Sequence, residues 1–433
     1  MRGLADHILA LVGIAILLLL FFLRMPISFA MFIVGFLGLL MYVSSDAAFQ
    51  MVVTDIWSQF SSYTLGVIPL YILMGEIVFR TGISEKLFEA AYRWIGHIRG
   101  GMAGTTIVAS AGFGTICGSN SATAATIGTL ALPELKKYNY HEALRTGSIA
   151  AGGTLGVIIP PSTVLIVMAI QTQQSVRDLF VASLIPGLML TLLMILTVIY
   201  ICQKNPEYGP PGEAFSLQEK LHSLLSVIPI IMLFLFVIGG LYLGLFTPTE
   251  SGAFGAFGAL LLSLVMKKLT WEKFYSAVGS ALRSSAMVLM LIVGAMVFSR
   301  FITMTRLPII VSEWIATLAV PTTLILIAIL LIYVIGGAIM DALGFLILSI
   351  PIFFPTVIQL GYDPLWFAIV LCIVTSLGAI TPPVGVNVFV VKGLAPDTSV
   401  TTIFRGATWF IVSYVLLVAL LITFPEIVLF PVR

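Results

Sequence analysis

Long apolar runs separated by short polar connections dominate the sequence and restrict what it can fold into. Of the 433 residues, 60% are hydrophobic and 9% are charged, whereas a soluble globular protein has about 25% charged residues. A spanning helix needs about 20 apolar residues, and several uncharged runs reach that length. We therefore expect an all-α polytopic membrane protein, because a transmembrane β-barrel would show short alternating segments instead.

The charge balance and the spacing of the cysteines and histidines exclude several other classes of protein. The formal net charge is +2 and no long basic run is present, so we expect the lipid bilayer as a partner and no nucleic acid. The three cysteines lack CxxC spacing and the four histidines form no HExxH pair, which argues against a zinc site or an intramembrane metalloprotease.

The apolar runs predict ten full spans and a fixed orientation. With the N- and C-termini outside, sixteen of the 21 Lys and Arg residues fall on the cytoplasmic side, as the positive-inside rule requires. The predicted spans lie near 8–24, 27–44, 64–80, 143–170, 178–202, 222–244, 248–266, 284–302, 364–391 and 404–430.

Two further stretches, 102–135 and 322–360, contain short apolar helices around a Gly-rich or polar break. In the second stretch, 14 residues precede Gly336 and Gly337, and a helix of 14 residues is too short to cross about 30 Å of hydrocarbon. Each stretch therefore predicts a re-entrant hairpin, which enters and leaves the membrane on the same side.

The sequence also repeats itself at a spacing of 222 residues. That shift aligns Pro160-Pro161 with Pro382-Pro383 and Gly156 with Gly378. We expect repeat 1 over 1–203, a linker over 204–221 and repeat 2 over 222–433. Each repeat has about five spans and one hairpin, and an odd number of spans inverts the second repeat. Inverted repeats with broken helices are typical of secondary transporters.

The tip of the first hairpin is dense in small polar residues, with Ser119, Asn120 and Ser121 at its centre. Hydroxyl, amide and freed backbone oxygens can replace the hydration shell of Na⁺. The N-terminus of the returning half-helix can bind an anion. The alternative is a small-residue packing face between membrane helices.

Two Pro-Pro pairs interrupt predicted spans, one within 152–163 and one within 381–387. Proline removes backbone donors and breaks the helical ladder, and the freed carbonyls need partners. We expect a pair of unwound helices at a binding site, although neighbouring Ser and Thr side chains could also satisfy such kinks. The polar residues in these stretches include Thr154, Ser162, Thr381 and Asn387.

The tip of the second hairpin, 336–344, contains Asp341 within apolar sequence, at the same repeat position as Ser119. An intramembrane carboxylate is energetically expensive, which favours a functional role. Asp341 could ligate a cation, carry a proton, or fix the tip by accepting backbone N–H groups.

Other polar and aromatic residues predict ordinary structural roles. Glu76 and Arg80 have the spacing of an i,i+4 ion pair, and Glu250 complements a helix start. Residues 267–283 predict an interfacial helix. Five tryptophans are interpreted as membrane-interface anchors: Trp57, Trp94, Trp271, Trp314 and Trp366.

Five motifs distributed over the whole chain resemble the large membrane subunit of TRAP (tripartite ATP-independent periplasmic) transporters, the DctM-like family. They are PLYILMGEIVFRTGISEKL at 69–87, GSNSATAAT at 118–126, GTLGVIIPPS at 153–162, GGAIMDALGFLILSIPIFFP at 336–355 and AITPPVGVNVFV at 379–390.

The resemblance implies a Na⁺-coupled, elevator-type importer in the bacterial inner membrane. Its partners would be a separate small four-helix membrane subunit and a periplasmic substrate-binding protein, and its substrate a small carboxylate-type solute. The resemblance places Na⁺ at Ser119, Asn120, Ser121, Gly156, Gly336, Gly337, Asp341, Thr381 and Asn387. We expect the substrate near Ser119, Asn120, Ser121, Thr154, Pro160, Ser162 and Asn387, where half-helix dipoles and Ser, Thr and Asn donors suit an anion.

Three alternatives stay open from the sequence. The first is a stand-alone anion and Na⁺ symporter of the same superfamily. The second is an intramembrane hydrolase with Ser119 or Ser121 as nucleophile, which the lack of a nearby His or Lys base at membrane depth disfavours. The third is a channel, although two inverted hairpins favour alternating access.

Overall fold

The computed structural model describes residues 2–317 and 320–433, and the regular structure in these ranges is helical. Within 2–204 the α-helices are α1 (Arg2–Phe22), α2 (Ile27–Leu40), α3 (Ser45–Phe60), α4 (Val67–Arg80), α5 (Ile83–Ile95), α6 (Gly101–Cys117), α7 (Asn120–Lys137), α8 (Glu142–Gly153), α9 (Leu155–Ile158), α10 (Thr163–Thr172) and α11 (Val176–Lys204).

The later helices are α12 (Leu217–Tyr242), α13 (Pro248–Val265), α14 (Trp271–Met304), α15 (Leu307–Thr317), α16 (Thr322–Ile339), α17 (Ala342–Gln359), α18 (Pro364–Gly378), α19 (Val386–Leu394), α20 (Val400–Thr408), α21 (Ile411–Thr423) and α22 (Glu426–Leu429).

The helices recur at the spacing of 222 residues. The first hairpin is α6 and α7, and the second is α16 and α17; α7 begins at Asn120 and α17 begins at Ala342. Each hairpin is followed by a helix that breaks at a cis Pro-Pro bond, Pro160-Pro161 in one repeat and Pro382-Pro383 in the other. The predicted fold class, an all-α polytopic chain of two repeats with one hairpin each, is confirmed.

Eight helices in the described residues are long and apolar enough to cross a membrane, and α8–α9 with α10 form a further candidate that bends by 43°. Large apolar side chains such as those of Phe22, Leu243 and Phe257 lie exposed on the outside of the helix bundle. Since water would not solvate such a surface favourably, the chain is a multi-pass membrane protein. Three of the ten predicted spans, 8–24, 27–44 and 364–391, correspond to shorter apolar helices: His7–Phe22, Ile27–Leu40 and Pro364–Gly378.

Two predicted helix boundaries are wrong. Residues 271–304 form one continuous helix of 34 residues, so no separate interfacial helix occupies 267–283. In the second hairpin, α16 continues through Gly336 and Gly337 and ends at Ile339. Glycine lowers helix stability by only about 1 kcal/mol, so it does not by itself end a helix. A Cβ at Gly336 would overlap the Phe345 ring, which gives this glycine a packing role.

The interpretation of Trp366 as an interface anchor is also wrong. Its side chain is 1% exposed, and its indole N–H donates to the Leu421 carbonyl at 2.9 Å. Tyr362 stacks on its ring. Trp57, Trp94, Trp271 and Trp314 are all exposed, as membrane-interface anchors require.

The helices pack in two groups. The framework group consists of α2, α4, α13 and α14, which contact one another closely. Small residues allow this approach: a Cβ at Gly35 of α2 would lie 2.6 Å from the Phe298 amide nitrogen of α14. In the same group, the Tyr71 hydroxyl of α4 donates to Ser251 of α13 at 3.1 Å. Close backbone contact and polar bonds of this kind hold helices together in lipid.

The hairpin group consists of α6–α11 and α16–α21, which include both hairpins and both broken helices. Its tightest crossing joins α8 to α20, where a Cβ on Gly406 would overlap the Ala143 carbonyl oxygen. Helix α5 contacts helices of both groups and α14 touches α17, so the groups meet along a shared boundary.

The connection between the repeats packs against the first hairpin and is not a free tether. The Gly100 amide donates to the Gly209 carbonyl and the His141 amide donates to the Tyr208 carbonyl, both at 2.9 Å. The rings of His141 and Tyr208 stack with centroids 4.0 Å apart. The linker is therefore part of the folded structure on this side of the molecule.

The α8–α20 crossing generates a stability prediction. Gly406→Ala should destabilise the permease by about 1–3 kcal/mol or more, because backbone atoms of α8 leave no room for a methyl group. The effect is measured by heating the permease in detergent and recording the temperature at which the sample stops being monodisperse.

Gly393→Ala is the matched control, since a Cβ there meets no atom within 4 Å and alanine favours helix. Equal loss of stability in both variants would contradict the proposed crossing.

Candidate functional site

The tip of the first hairpin is a sharp break between two helices. Gly118 ends α6 in the left-handed region with φ 63°, and its amide bonds the Gly114 carbonyl. Ser119 is extended and Asn120 begins α7, with no side chain capping the new helix. The first backbone N–H groups of α7 are therefore available to an anion. The Asn120 side-chain oxygen is buried and has no hydrogen-bond partner.

The broken helix of the same repeat holds this tip in place. The Thr163 hydroxyl, at the start of α10, donates to the Gly118 carbonyl at 3.0 Å. Ser162 is 1% exposed and caps α10 by accepting from the Leu165 amide. Polar groups at the break after α9 thus bond backbone groups that the break between α6 and α7 leaves free.

A small cluster of oxygen atoms surrounds Gly156 next to the tip. A Cβ there would lie 2.5 Å from the Thr123 hydroxyl and 2.7 Å from the Ser119 carbonyl oxygen. The Thr123 hydroxyl is buried and has no hydrogen-bond partner. Carbonyl and hydroxyl oxygens are the ligands that hard cations prefer, so these groups fit a Na⁺ ion.

The tip of the second hairpin is built in a similar way. The Gly385 amide, from the broken stretch before α19, donates to the Ala338 carbonyl at 2.9 Å. Asp341 caps α17, its carboxylate accepting from the Leu343 amide at 3.1 Å. The structural role proposed for Asp341 is therefore present, and its second oxygen leaves capacity for another ligand.

Asn387 connects the two repeats beneath the tips. It is fully buried, and its amide group donates to the Ala150 carbonyl at 3.0 Å while its oxygen has no partner. Thr154, by contrast, is fully satisfied, because it accepts from Tyr414 and donates to Ala151. Thr381, in the broken stretch after α18, donates to the Leu377 carbonyl of that helix.

A cavity of about 410 Å³ lies between the hairpin group and the framework group. Both hairpin tips line it, together with Thr163 of the first broken helix and residues of α4 and α14. Among the described residues that line it, the charged ones are Glu76 and Asp341, and none is Lys, Arg or His. The polar lining residues are Glu76, Ser119, Asn120, Ser121, Thr126, Thr163, Ser284 and Asp341.

Four of the predicted site residues line this cavity: Ser119, Asn120, Ser121 and Asp341. The others belong to the hairpin group or its broken stretches and do not line the cavity: Thr154, Gly156, Pro160, Ser162, Gly336, Gly337, Thr381 and Asn387.

The predicted site residues omit four polar lining residues, Glu76, Thr126, Thr163 and Ser284. Glu76 does form the predicted ion pair with Arg80, at 3.3 Å, but it also faces the cavity. The argument applied to Asp341, that an acid within an apolar run is expensive, applies to Glu76 as well. Thr163 and Ser284 carry no comparable sequence signal.

Two hairpin tips and a framework wall around one cavity, in a multi-pass membrane protein, define a membrane transporter rather than an enzyme. The chain belongs to the family described as "Tripartite ATP-independent periplasmic transporter, DctM component", whose family model matches residues 14–427.

Relatives support this membership over most of the chain. The chain is 32% identical over 357 residues to the C4-dicarboxylate TRAP transporter large permease protein DctM of Pseudomonas aeruginosa, which covers 82% of this chain and 83% of that protein. It is 30% identical over 413 residues to the 2,3-diketo-L-gulonate TRAP transporter large permease protein YiaN of Escherichia coli, with coverage of 94% and 95%.

A third relative is longer than this chain. The Isethionate TRAP transporter permease protein DctMQ of Oleidesulfovibrio alaskensis is 33% identical over 340 residues, or 78% of this chain and 53% of that protein. Among solved structures, the YdaH transporter of Alcanivorax borkumensis has a similar fold, with a TM-score of 0.63 at 15% identity and coverage of 89% and 91%.

The cavity makes one cysteine a natural reporter. Cys117 lines it, whereas Cys202 and Cys372 are 0% and 1% exposed. A small thiol reagent such as methyl methanethiosulfonate should modify Cys117 at least about tenfold faster than the other two, because buried thiols are inert. Mass spectrometry of the folded permease measures the rates.

Unfolding the permease before labelling provides the control, since all three thiols should then react. Similar rates at the three cysteines in the folded permease would show that the cavity does not reach Cys117.

Proposed function

We propose that this chain is the large permease subunit of a Na⁺-coupled secondary transporter that imports a small carboxylate-type solute by an elevator mechanism. The observation that carries the proposal is the cavity lined by both hairpin tips, where two carboxylates are present and no cation faces the solute.

The charges of the cavity support coupling to a cation. An anionic solute that enters beside Asp341 is repelled by its carboxylate, whereas Arg80, 3.3 Å from Glu76, offsets the charge of Glu76. Co-bound Na⁺ ions offset that repulsion, so solute and ions bind more tightly together than separately. A load of net positive charge is then driven inward by the membrane potential, by about 2.3 kcal/mol per charge per 100 mV.

Candidate Na⁺ ligands lie at both hairpin junctions. At the first, the Ser119 carbonyl and Thr123 hydroxyl lie next to Gly156, with Asn120 beside them. The unpartnered buried oxygens of Thr123 and Asn120 support this assignment, because a bound cation would satisfy them.

At the second junction the candidates are the carboxylate of Asp341 and backbone carbonyls of 336–338. The unpartnered oxygen of Asn387, whose amide group donates to Ala150 of the first repeat, is a further candidate. Gly337 lets α16 approach the Thr375 carbonyl closely, which holds that backbone in place.

The solute site of the proposal is formed by Ser119, Asn120 and Ser121 at the cavity surface. Their hydroxyl and amide groups, with the free N–H groups that begin α7, are donors suited to a carboxylate. Names of relatives specify a C4-dicarboxylate, 2,3-diketo-L-gulonate and isethionate, all anions. Thr154, Pro160 and Ser162 support the site from behind.

Division into two helix groups supports the elevator mechanism. Both hairpins and both broken helices belong to one group, so they can move together against the framework group. The cavity lies at the boundary between the groups, where such a movement would expose it to each side of the membrane in turn.

Partners and location follow from family membership. We propose a small four-helix membrane subunit as a separate chain, a periplasmic binding protein that delivers the solute, and residence in the bacterial inner membrane with both termini periplasmic. The relative named DctMQ, of which this chain spans 53%, supports the first partner. The charge asymmetry of the connections supports the orientation.

Transport assays test the coupling directly. Reconstituted into liposomes with the small subunit, the permease should take up solute only with an inward Na⁺ gradient and the loaded cognate binding protein. A thermal-shift screen of that binding protein first identifies the solute. Uptake indifferent to Na⁺ would refute the coupling, and uptake without the binding protein would favour a stand-alone symporter.

A matched pair of variants tests the role of Asp341. Asp341→Asn keeps a good helix cap but removes the charge, so apparent Na⁺ affinity in the uptake assay should fall by about tenfold or more while thermal stability changes little.

Asp363→Asn is the control, because Asp363 caps α18 through the Leu365 and Trp366 amides and does not line the cavity. If the two variants behave alike, Asp341 is a helix cap and the cation role is wrong.

A further inference from the structure

A guanidinium is paired with one charged residue of the cavity wall. Glu76 faces the cavity from α4, and Arg80 follows one helical turn later. Arg80 Nη2 lies 3.3 Å from Glu76 Oε2, and each side chain is 24% exposed. The lining of the cavity therefore includes the carboxylate of this pair and not its guanidinium.

This ion pair leaves hydrogen-bonding capacity unused on both sides. Glu76 Oε2 is buried and accepts no hydrogen bond, and the Nε–H of Arg80 is buried and has no acceptor. The same Nη2 that lies near Glu76 donates to the Ser280 hydroxyl of α14 at 2.7 Å. Arg80 is thus fixed to the framework group while part of its donor fork stays free.

We infer that Arg80 is a specificity-determining residue that binds a carboxylate of the transported solute, and that Glu76 holds its guanidinium in place until the solute arrives. The inference rests on the proposed function, in which the solute is a carboxylate. The planar fork of arginine matches two carboxylate oxygens, so the solute can replace Glu76 as partner of Arg80.

The exchange accounts for a cavity that binds an anion without a cation on its surface. Before the solute binds, Glu76 neutralises Arg80 and no unpaired guanidinium faces the membrane interior, where an isolated charge is expensive. When a solute carboxylate bonds Arg80, Glu76 is released into the solvated cavity. A neutral solute has no group to displace Glu76, so the pair selects against it.

Binding measurements on the full-length permease in lipid nanodiscs test the exchange. Titrations with succinate, pyruvate and gluconate, in sodium chloride and in choline chloride, give the apparent Kd of each probe. Arg80→Gln should weaken the tightest of these interactions by about tenfold or more, and Arg80→Lys by less, because lysine keeps the charge and loses the fork.

A double-mutant cycle separates exchange from general electrostatics. Glu76→Gln should tighten binding several-fold in the native background, because Arg80 is then free, and should have little effect in the Arg80→Gln background. An equal gain in both backgrounds would reflect only the removal of a negative charge and would overturn the exchange.

Arg145→Gln is the matched control. Arg145 also pairs with a nearby glutamate, Glu142, at 3.3 Å, its Nε is also buried without a partner, and it does not line the cavity. Native affinity in Arg80→Gln, or an equal loss in Arg145→Gln, would overturn the inference.

The same titrations distinguish this inference from the proposed function. Binding that is equal in sodium and choline would refute Na⁺ coupling and still report on Arg80. If no probe binds the native permease in either salt, both the carboxylate solute and the role of Arg80 are refuted.

Discussion

The fold depends on how backbone groups are satisfied where helices break inside an apolar environment. An unpaired backbone amide or carbonyl is costly in lipid, so breaks must satisfy one another. Here each hairpin tip bonds the broken helix of its own repeat, through Thr163 and Gly118 in the first and Gly385 and Ala338 in the second. These bonds leave a few oxygens and amide groups unpaired at the tips, and those groups are what the proposed site uses.

The second constraint is the close packing of helices by small residues. Gly35 and Gly406 each remove the atom that would keep two helices apart, one in the framework group and one in the hairpin group. Within each group the helices approach closely, whereas the cavity separates the groups at the level of the tips. In the proposed elevator mechanism, the hairpin group moves as one unit along this boundary.

The sequence predicted most of the fold because its strongest signals are long and repetitive. Two Pro-Pro pairs at one spacing locate both broken helices, and apolar runs around polar breaks locate both hairpins. The features that the sequence did not predict depend on residues that become neighbours only in the folded structure. Gly336 sits inside a helix because Phe345 packs over it, and Trp366 is buried because Leu421 accepts its N–H. Thr163 and Ser284 meet the cavity only through the packing of distant helices.

The two hairpin tips occupy equivalent positions in the repeat but carry different chemistry. Ser119 stands in the first repeat where Asp341 stands in the second, and both line the same cavity. Two identical copies of one repeat would present either two neutral tips or two anionic tips. Joining the copies in one chain lets each half diverge alone, so a single chamber has one hairpin tip that carries negative charge and one that does not. The duplication therefore gives the chamber an electrical polarity that a symmetric dimer of either half would lack.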